Sequence, residues 1–175
     1  MGTGGVSCFG IQFASALGAT VIATSSSSAK LETAKKLGAT HVINYTTTPD
    51  WDVEVLRLTK GKGVDQVLEV GGAATLLKSI KCTRPGGLVS LIGILGGAET
   101  LPEEVVPSVL FGGKIVKGCV AFNKIAIEDM VKFVRANGIK PLVSKRFAFE
   151  EAVEAFEFLQ RGGAVGNVVI RWPKE

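Results

Sequence analysis

The residues most suited to chemistry lie in a glycine-rich stretch, GTGGVS, at the start of the chain. Glycines permit a tight turn and let the backbone approach a pyrophosphate closely. A helix that begins after such a turn points its first N–H groups at the phosphates. Gly2, Gly4 and Gly5 supply the glycines, and Ser7 stands at the third position of the G-x-G-x-x-G pattern. The stretch predicts a turn that binds a dinucleotide, with an ordinary glycine turn as the alternative.

A second polar segment follows about 20 residues further on, where an Asp or Glu would hold the ribose hydroxyls of NAD. The sequence there is VIATSSSSAKLE, with no acid before Glu32. Ser25, Ser26 and Lys30 offer hydroxyl groups and a cation, which suit a 2′-phosphate, whereas a carboxylate would repel one. We therefore predict NADP(H) in preference to NAD(H). The alternative is that the serines only cap the next helix and that Lys30 is a solvated surface charge.

Short apolar runs alternate with helical segments along most of the chain. Strands are predicted over residues 19–24, 41–45, 64–70, 88–95 and 114–120, and helices over 10–18, 28–39, 50–59, 73–83, 101–111 and 126–138. This alternation is typical of βαβ units, and nearly all-apolar strands fit a parallel sheet covered on both faces. We predict an α/β fold with a Rossmann-type, doubly wound parallel sheet over residues 1–140. Residues 141–175 predict a short α/β extension of strand, helix, glycine turn and strand.

Composition narrows the classes of partner. Of the 175 residues, 46% are hydrophobic and 21% are charged. No run of about 18 apolar residues that would cross a membrane occurs, and no secretory leader pattern is visible, so we expect a cytoplasmic protein. The net charge of +4 comes from dispersed basic residues without interleaved aromatics, which argues against nucleic-acid binding.

The potential metal ligands are few and scattered. Cys8, Cys82 and Cys119 form no Cys-x-x-Cys pair, and His41 is the only histidine. A zinc site needs three or four such ligands close together. We therefore expect no zinc site in this chain and interpret the cysteines as small buried apolar residues.

Four stretches together resemble the medium-chain dehydrogenase/reductase superfamily, in its order and at its spacing. They lie at residues 2–45, 63–76, 84–93 and 147–170, so the resemblance covers essentially the whole chain. The chain is most similar to the quinone-oxidoreductase and zinc-less alcohol-dehydrogenase-like branch. The resemblance implies hydride transfer between NADPH and a carbonyl, quinone, activated alkene or alcohol of a small-molecule substrate.

The resemblance also implies further contacts to the cofactor. They are Val6 in the pyrophosphate loop, Tyr45 against the 2′-phosphate, Val70 and Gly71 beside the ribose, Ile92, Gly93 and Ile94 near the nicotinamide, and Val120 and Phe122 over the nicotinamide face. Tyr45 as a half-buried aromatic residue, the two isoleucines as core residues and the glycines as simple turns are the alternatives. Asn167 stands where the family's GKVV motif usually has lysine, so the lysine's role is not carried over.

The resemblance further implies that a GroES-like domain and one strand precede Gly2 in the family. That strand is central in the order 3-2-1-4-5-6, so we expect its two neighbours to have unpaired edges here. The chain is therefore expected to be an N-terminally truncated, cofactor-binding part of an oxidoreductase. The alternative is a non-catalytic nucleotide- or partner-binding remnant, or an inert fragment. No residue is identified as a catalytic acid or base, and we expect a homodimer through the edge strand 114–120.

Overall fold

The computed structural model describes residues 2–94, 100–120, 123–162 and 164–173. Within those ranges strands and helices alternate from the first helix onward. In chain order the elements are α1 (Gly5–Ala16), β1 (Ile22–Ser25), α2 (Ser28–Lys36), β2 (His41–Asn44), α3 (Trp51–Leu58), β3 (Val64–Glu69), α4 (Ala73–Lys81), β4 (Thr83–Leu91), α5 (Val105–Leu110), β5 (Ile115–Gly118), α6 (Lys124–Ala136), β6 (Val143–Phe147), α7 (Ala152–Gln160) and β7 (Asn167–Ile170). None of these helices is long and apolar enough to cross a membrane.

The strands form three parallel sheets with the orders β1-β2, β3-β4-β5 and β6-β7. This confirms the predicted parallel arrangement and is the Rossmann order without a strand between β1 and β3. Among the described residues, β1 and β3 each pair with one strand only. Gly2 lies between the ends of these two strands. Its N–H donates to the Thr24 carbonyl at 2.9 Å, and a Cβ added to it would lie 3.7 Å from Cγ2 of Val70.

The larger hydrophobic core lies beneath β3 and β4. Trp51 and Val55 of α3 and Ile80 of α4 pack there with Val67 and Val89 from the two strands. Ile80 and Val89 have no solvent exposure, and burying such side chains stabilises the fold by about 1.5–3 kcal/mol each. This core holds the carboxyl ends of β3 and β4 in fixed positions.

Several predicted boundaries were wrong. Helix α1 begins at Gly5 rather than at residue 10, and β4 ends at Leu91 rather than at residue 95. Strand β4 begins at Thr83 rather than at residue 88, because the segment of Pro85 and two glycines continues the strand through a shift in register against β3. Helix α5 begins at Val105 rather than at residue 101, since the Val105 N–H closes a turn onto the Pro102 carbonyl at 3.1 Å.

Candidate dinucleotide-binding site

The glycine turn leads directly into α1, which begins five residues before the predicted start of this helix. Gly4 is the N-cap residue of this helix, with φ −73° and ψ 179°. A Cβ added to Gly4 would meet no atom within 4 Å. Val6 is exposed on the first turn of the helix, which contains no acidic residue. The site therefore presents open backbone at the positive end of a helix dipole, which favours an anion.

The C-terminal extension holds this turn in place. Gly166 forms a parallel bridge with Gly4 and donates its N–H to the Thr3 carbonyl at 3.0 Å. Asn167 donates from Nδ2 to the Leu142 carbonyl at 3.1 Å, and a Cβ on Gly5 would lie 3.2 Å from the Asn167 Cγ and closer still to Oδ1. The asparagine that replaces the family's lysine thus packs directly against the turn, a contact that sequence reasoning did not find.

Ser25, Ser26 and Tyr45 meet at the carboxyl ends of β1 and β2. The Tyr45 N–H donates to the Ser25 carbonyl at 3.1 Å, and the Tyr45 side chain is 44% exposed. The Ser26 side chain is exposed, while Ser25 is buried and its hydroxyl accepts from the Ser27 N–H at 3.4 Å. Thr46 lies beside them and donates from its hydroxyl to the Ser26 carbonyl at 3.5 Å.

One serine of the run caps α2, and it is neither of the two predicted as ligands. The Ser27 hydroxyl accepts from the Lys30 N–H at 3.5 Å as the N-cap of the helix. Lys30 is half-buried in the first turn of the helix that follows. The nearest acid along the chain, Glu32, pairs with Lys35 at 2.7 Å. The capping alternative therefore applies to Ser27 and leaves Ser26 and Lys30 available at the same helix end.

The turns that follow β3 (residues 70–72) and β4 (residues 92–94) contain the contacts predicted beside the ribose and the nicotinamide. Glu69, at the end of β3, is fully buried, and its carboxylate accepts from the Gly71 N–H at 2.7 Å. Its carbonyl accepts from the N–H groups of Ile92 and Gly93 at 2.8 and 3.1 Å. The backbone of Val70, the residue after Glu69, lies so close to Gly93 that a Cβ added to Gly93 would be 2.6 Å from the Val70 carbonyl carbon. Sequence reasoning missed Glu69, although a carboxylate in the otherwise apolar end of a strand was a visible signal.

The remaining predicted contacts lie on the surface near these turns. Ile94 is 89% exposed and Val120 is 86% exposed. Ile94 is therefore not a core residue, which was its alternative interpretation. Ile92 is half-buried. Phe122 lies outside the described residues, so its predicted role over the nicotinamide stays a prediction.

The potential metal ligands do not fit a zinc ion. In the part of the chain that the structure describes, no three His, Cys, Asp or Glu side chains cluster as a metal site would require. Burial raises the pKa of the Cys8 thiol, and burial together with the charge of Asp52 raises that of Cys82 to about 12. Both thiols are buried, and neither belongs to a cluster of potential metal ligands among the described residues.

A parallel α/β fold with an open glycine turn at a helix N-terminus defines a Rossmann-type, dinucleotide-binding domain. Residues 5–136 match the family model described as zinc-binding dehydrogenase. The chain belongs to this family.

Relatives and solved structures agree with this assignment. A zinc-type alcohol dehydrogenase-like protein of Schizosaccharomyces pombe is 42% identical over 98% of this chain and 50% of its own length. The structure of an NAD-dependent alcohol dehydrogenase superposes with a TM-score of 0.88 at 36% identity, over 98% of this chain and 49% of that one. The Escherichia coli quinone oxidoreductase, solved in complex with NADPH, gives a TM-score of 0.80 at 26% identity, over 97% and 55%. The chain spans about half the length of the curated relatives it matches.

Proposed function

We propose that this chain is the cofactor-binding part of an NADP(H)-dependent oxidoreductase. In the whole protein it would serve hydride transfer to or from a carbonyl, quinone, activated alkene or alcohol of a small molecule. The observation that carries the proposal is the open backbone at Gly4, where no atom lies within 4 Å of an added Cβ at the start of α1. A pyrophosphate needs this close approach to backbone N–H groups.

The cofactor supplies the hydride, and the protein supplies its binding and orientation. The turn at Gly2 and Gly4 would hold the pyrophosphate. The two turns at 70–72 and 92–94 would lie beside the ribose and the nicotinamide. No described side chain is assigned a proton transfer.

The preference for NADP(H) is supported by the groups at the ends of β1 and β2. Ser26 and Tyr45 are exposed there, Lys30 lies in the first turn of the adjacent helix, and no acid lies at the end of β1. A 2′-phosphate carries negative charge that a lysine attracts and a carboxylate repels. One solved relative is named an NAD-dependent alcohol dehydrogenase and another was solved in complex with NADPH, so the cofactor differs among similar proteins.

The test is a fluorescence titration of the chain with NADPH and with NADH. We expect the wild type to bind NADPH at least about tenfold more tightly than NADH. Lys30→Glu should weaken NADPH binding by about tenfold or more and leave NADH binding nearly unchanged. Lys36→Glu is the matched control, because it makes the same charge change at an exposed position at the far end of the same helix. Equal affinities for the two cofactors in the wild type would contradict the preference.

We also propose that two copies associate through β5 and α5. Strand β5 pairs with β4 on one side, and Ile115 on it is largely exposed. Phe111, beside it at the end of α5, is 86% exposed, and Leu110 is exposed as well. An unpaired strand edge next to exposed apolar side chains is stabilised by pairing with a second copy.

Sedimentation equilibrium tests this association. We expect a dimeric mass for the wild type and a monomeric mass for Phe111→Glu. Val53→Glu, an equally polar change at an exposed apolar residue of α3, is the control and should remain dimeric. A monomeric wild type across the micromolar range would contradict the proposal.

A further inference from the structure

Glu69 is a carboxylate without solvent exposure in the middle of the fold. Burying a charged group is costly unless hydrogen bonds and opposite charge compensate for the lost water. No Lys or Arg is paired with it among the described residues. Its hydrogen-bond partners must therefore account for its presence, and they indicate what it holds in place.

The carboxylate binds the turn that follows its own strand. Oε1 accepts from the N–H groups of Gly71 and Gly72, at 2.7 and 3.1 Å, and from the Thr75 hydroxyl at 2.7 Å. Oε2 accepts from the hydroxyl of Ser79 in α4. Gly72 is the N-cap residue of α4 and cannot cap the helix with a side chain. The carboxylate of Glu69 instead links the two N–H groups that precede the helix to the hydroxyls of Thr75 and Ser79 on it, so it ties the turn to α4.

The backbone of the same residue binds the neighbouring turn. Its carbonyl accepts from Ile92 and Gly93. The two turns also touch each other without side chains between them. A Cβ on Gly72 would lie 3.1 Å from the Ile94 Cα, and one on Gly93 would lie 2.9 Å from the Val70 Cα. A displacement of one turn must therefore displace the other.

We propose that Glu69 is the positioning residue that holds both turns where they can contact the nicotinamide and its ribose. This inference rests on the proposed function. The two turns belong to β3 and β4, whereas the predicted 2′-phosphate site lies on β1 and β2, in a different sheet. The loss of Glu69 should thus weaken contacts to one half of the cofactor and leave the other half bound as before.

Two ligands separate the halves of the site. NADPH would occupy both halves of the site, whereas adenosine 2′,5′-bisphosphate contains the adenosine and the 2′-phosphate without the nicotinamide. For Glu69→Ala we expect the Kd for NADPH to rise by about tenfold or more, the loss expected for hydrogen bonds to a charged group. The Kd for the bisphosphate should stay within about twofold of the wild-type value.

Glu69→Gln provides the rescue. The amide oxygen can accept from the N–H groups of Gly71 and Gly72, while the amide nitrogen faces the Ser79 hydroxyl, which can accept as well as donate. We expect the Kd for NADPH to stay within about threefold of the wild-type value. A merely structural role for the buried charge would instead lower the binding of both ligands together.

If Glu69→Ala does not fold, Glu69→Asp gives the same measurement, because a side chain shorter by one methylene cannot reach both glycine N–H groups. The selective loss of NADPH binding supports the inference. An equal loss of both ligands, or no loss in the folded variant, overturns it. A wild type that binds the bisphosphate but not NADPH also overturns it, since the turns then hold no nicotinamide half. A wild type that binds neither ligand overturns the proposed function itself.

Discussion

Replacement of Gly4 by alanine should weaken cofactor binding and leave the stability of the free protein nearly unchanged. The backbone at Gly4 has φ −73° and ψ 179°, a conformation that alanine adopts without strain. The added methyl group meets no atom within 4 Å in the free protein. A bound pyrophosphate would occupy this space, because a dinucleotide-binding glycine turn brings the phosphate against the backbone. Gly4→Ala should therefore affect the complex and spare the free protein.

The expected effect on stability is small because two contributions oppose each other. Removing glycine from the unfolded chain stabilises the native state by about 0.4–1 kcal/mol. Alanine is the poorer N-cap residue by about 0.5–1 kcal/mol. The free energy of unfolding should stay within about 0.5 kcal/mol of the wild-type value, which is a change in Tm of about 2 °C or less.

The expected effect on binding is large. A hydrogen bond between a phosphate oxygen and a backbone N–H is charge-assisted and contributes about 1.5–3 kcal/mol. Displacing the pyrophosphate by one methyl group removes at least one such bond, so the Kd for NADPH should rise by about 10- to 150-fold. Isothermal titration calorimetry gives the Kd, and a thermal melt without ligand gives the stability.

Gly18→Ala is the control with the opposite pattern. Gly18 has φ 76° and open space around it, and it lies beyond the far end of α1. Alanine in this left-handed conformation costs about 1 kcal/mol, or about 2–4 °C in Tm. Its Kd for NADPH should be unchanged. Unaltered NADPH affinity in Gly4→Ala would refute the assignment of the turn as the phosphate site. A fall in the Tm of Gly4→Ala by 10 °C or more, about 3 kcal/mol, would show that the space around Gly4 is not open.

Two further predictions concern stability. In Gly93→Ala the new Cβ would lie 2.6 Å from the carbonyl carbon of Val70, so we expect the free energy of unfolding measured in urea to fall by about 3 kcal/mol. Gly118→Ala is the control and should change it little, because a Cβ added there meets no atom within 4 Å. Equal urea midpoints for the two variants would contradict this prediction. Burial, aided by the charge of Asp52, raises the pKa of Cys82 from 9.0 to about 12. The unfolded chain then loses this proton first, so the stability present below pH 9 should fall as the pH rises towards 12. Cys82→Ala should show a shallower fall, and pH profiles parallel to the wild type would exclude the thiol as a cause.

Much of the fold was predictable because it depends on local patterns. Apolar runs of strand length between amphipathic segments specify βαβ units, and βαβ units connect parallel strands. The glycine turn was predictable for the same reason, since the turn, the helix start and their order are neighbours in the chain. The start of β4 at Thr83 was not, because a proline and two glycines usually end a strand, and only pairing with β3 keeps this segment extended.

The contacts between distant segments could not be predicted in the same way. Asn167 packs against Gly5, which is far away in the chain, and its direction depends on a hydrogen bond to Leu142. Ser26 and Ser27 are neighbours of the same type, yet Ser27 caps α2 whereas Ser26 is exposed at the end of β1. These differences arise because the direction of the backbone where a strand or helix ends determines which way each side chain points.

The sequence by itself determined the α/β class, the parallel sheet, the position of the glycine turn and the absence of an acid after the first predicted strand. Each of these follows from residue types at fixed spacing along the chain. Only the tertiary structure decided that Glu69 links the turns after β3 and β4 and that residue 166 pairs with the glycine turn. The physical reason is that a buried polar group must find its partners among whatever segments the packed sheets bring beside it.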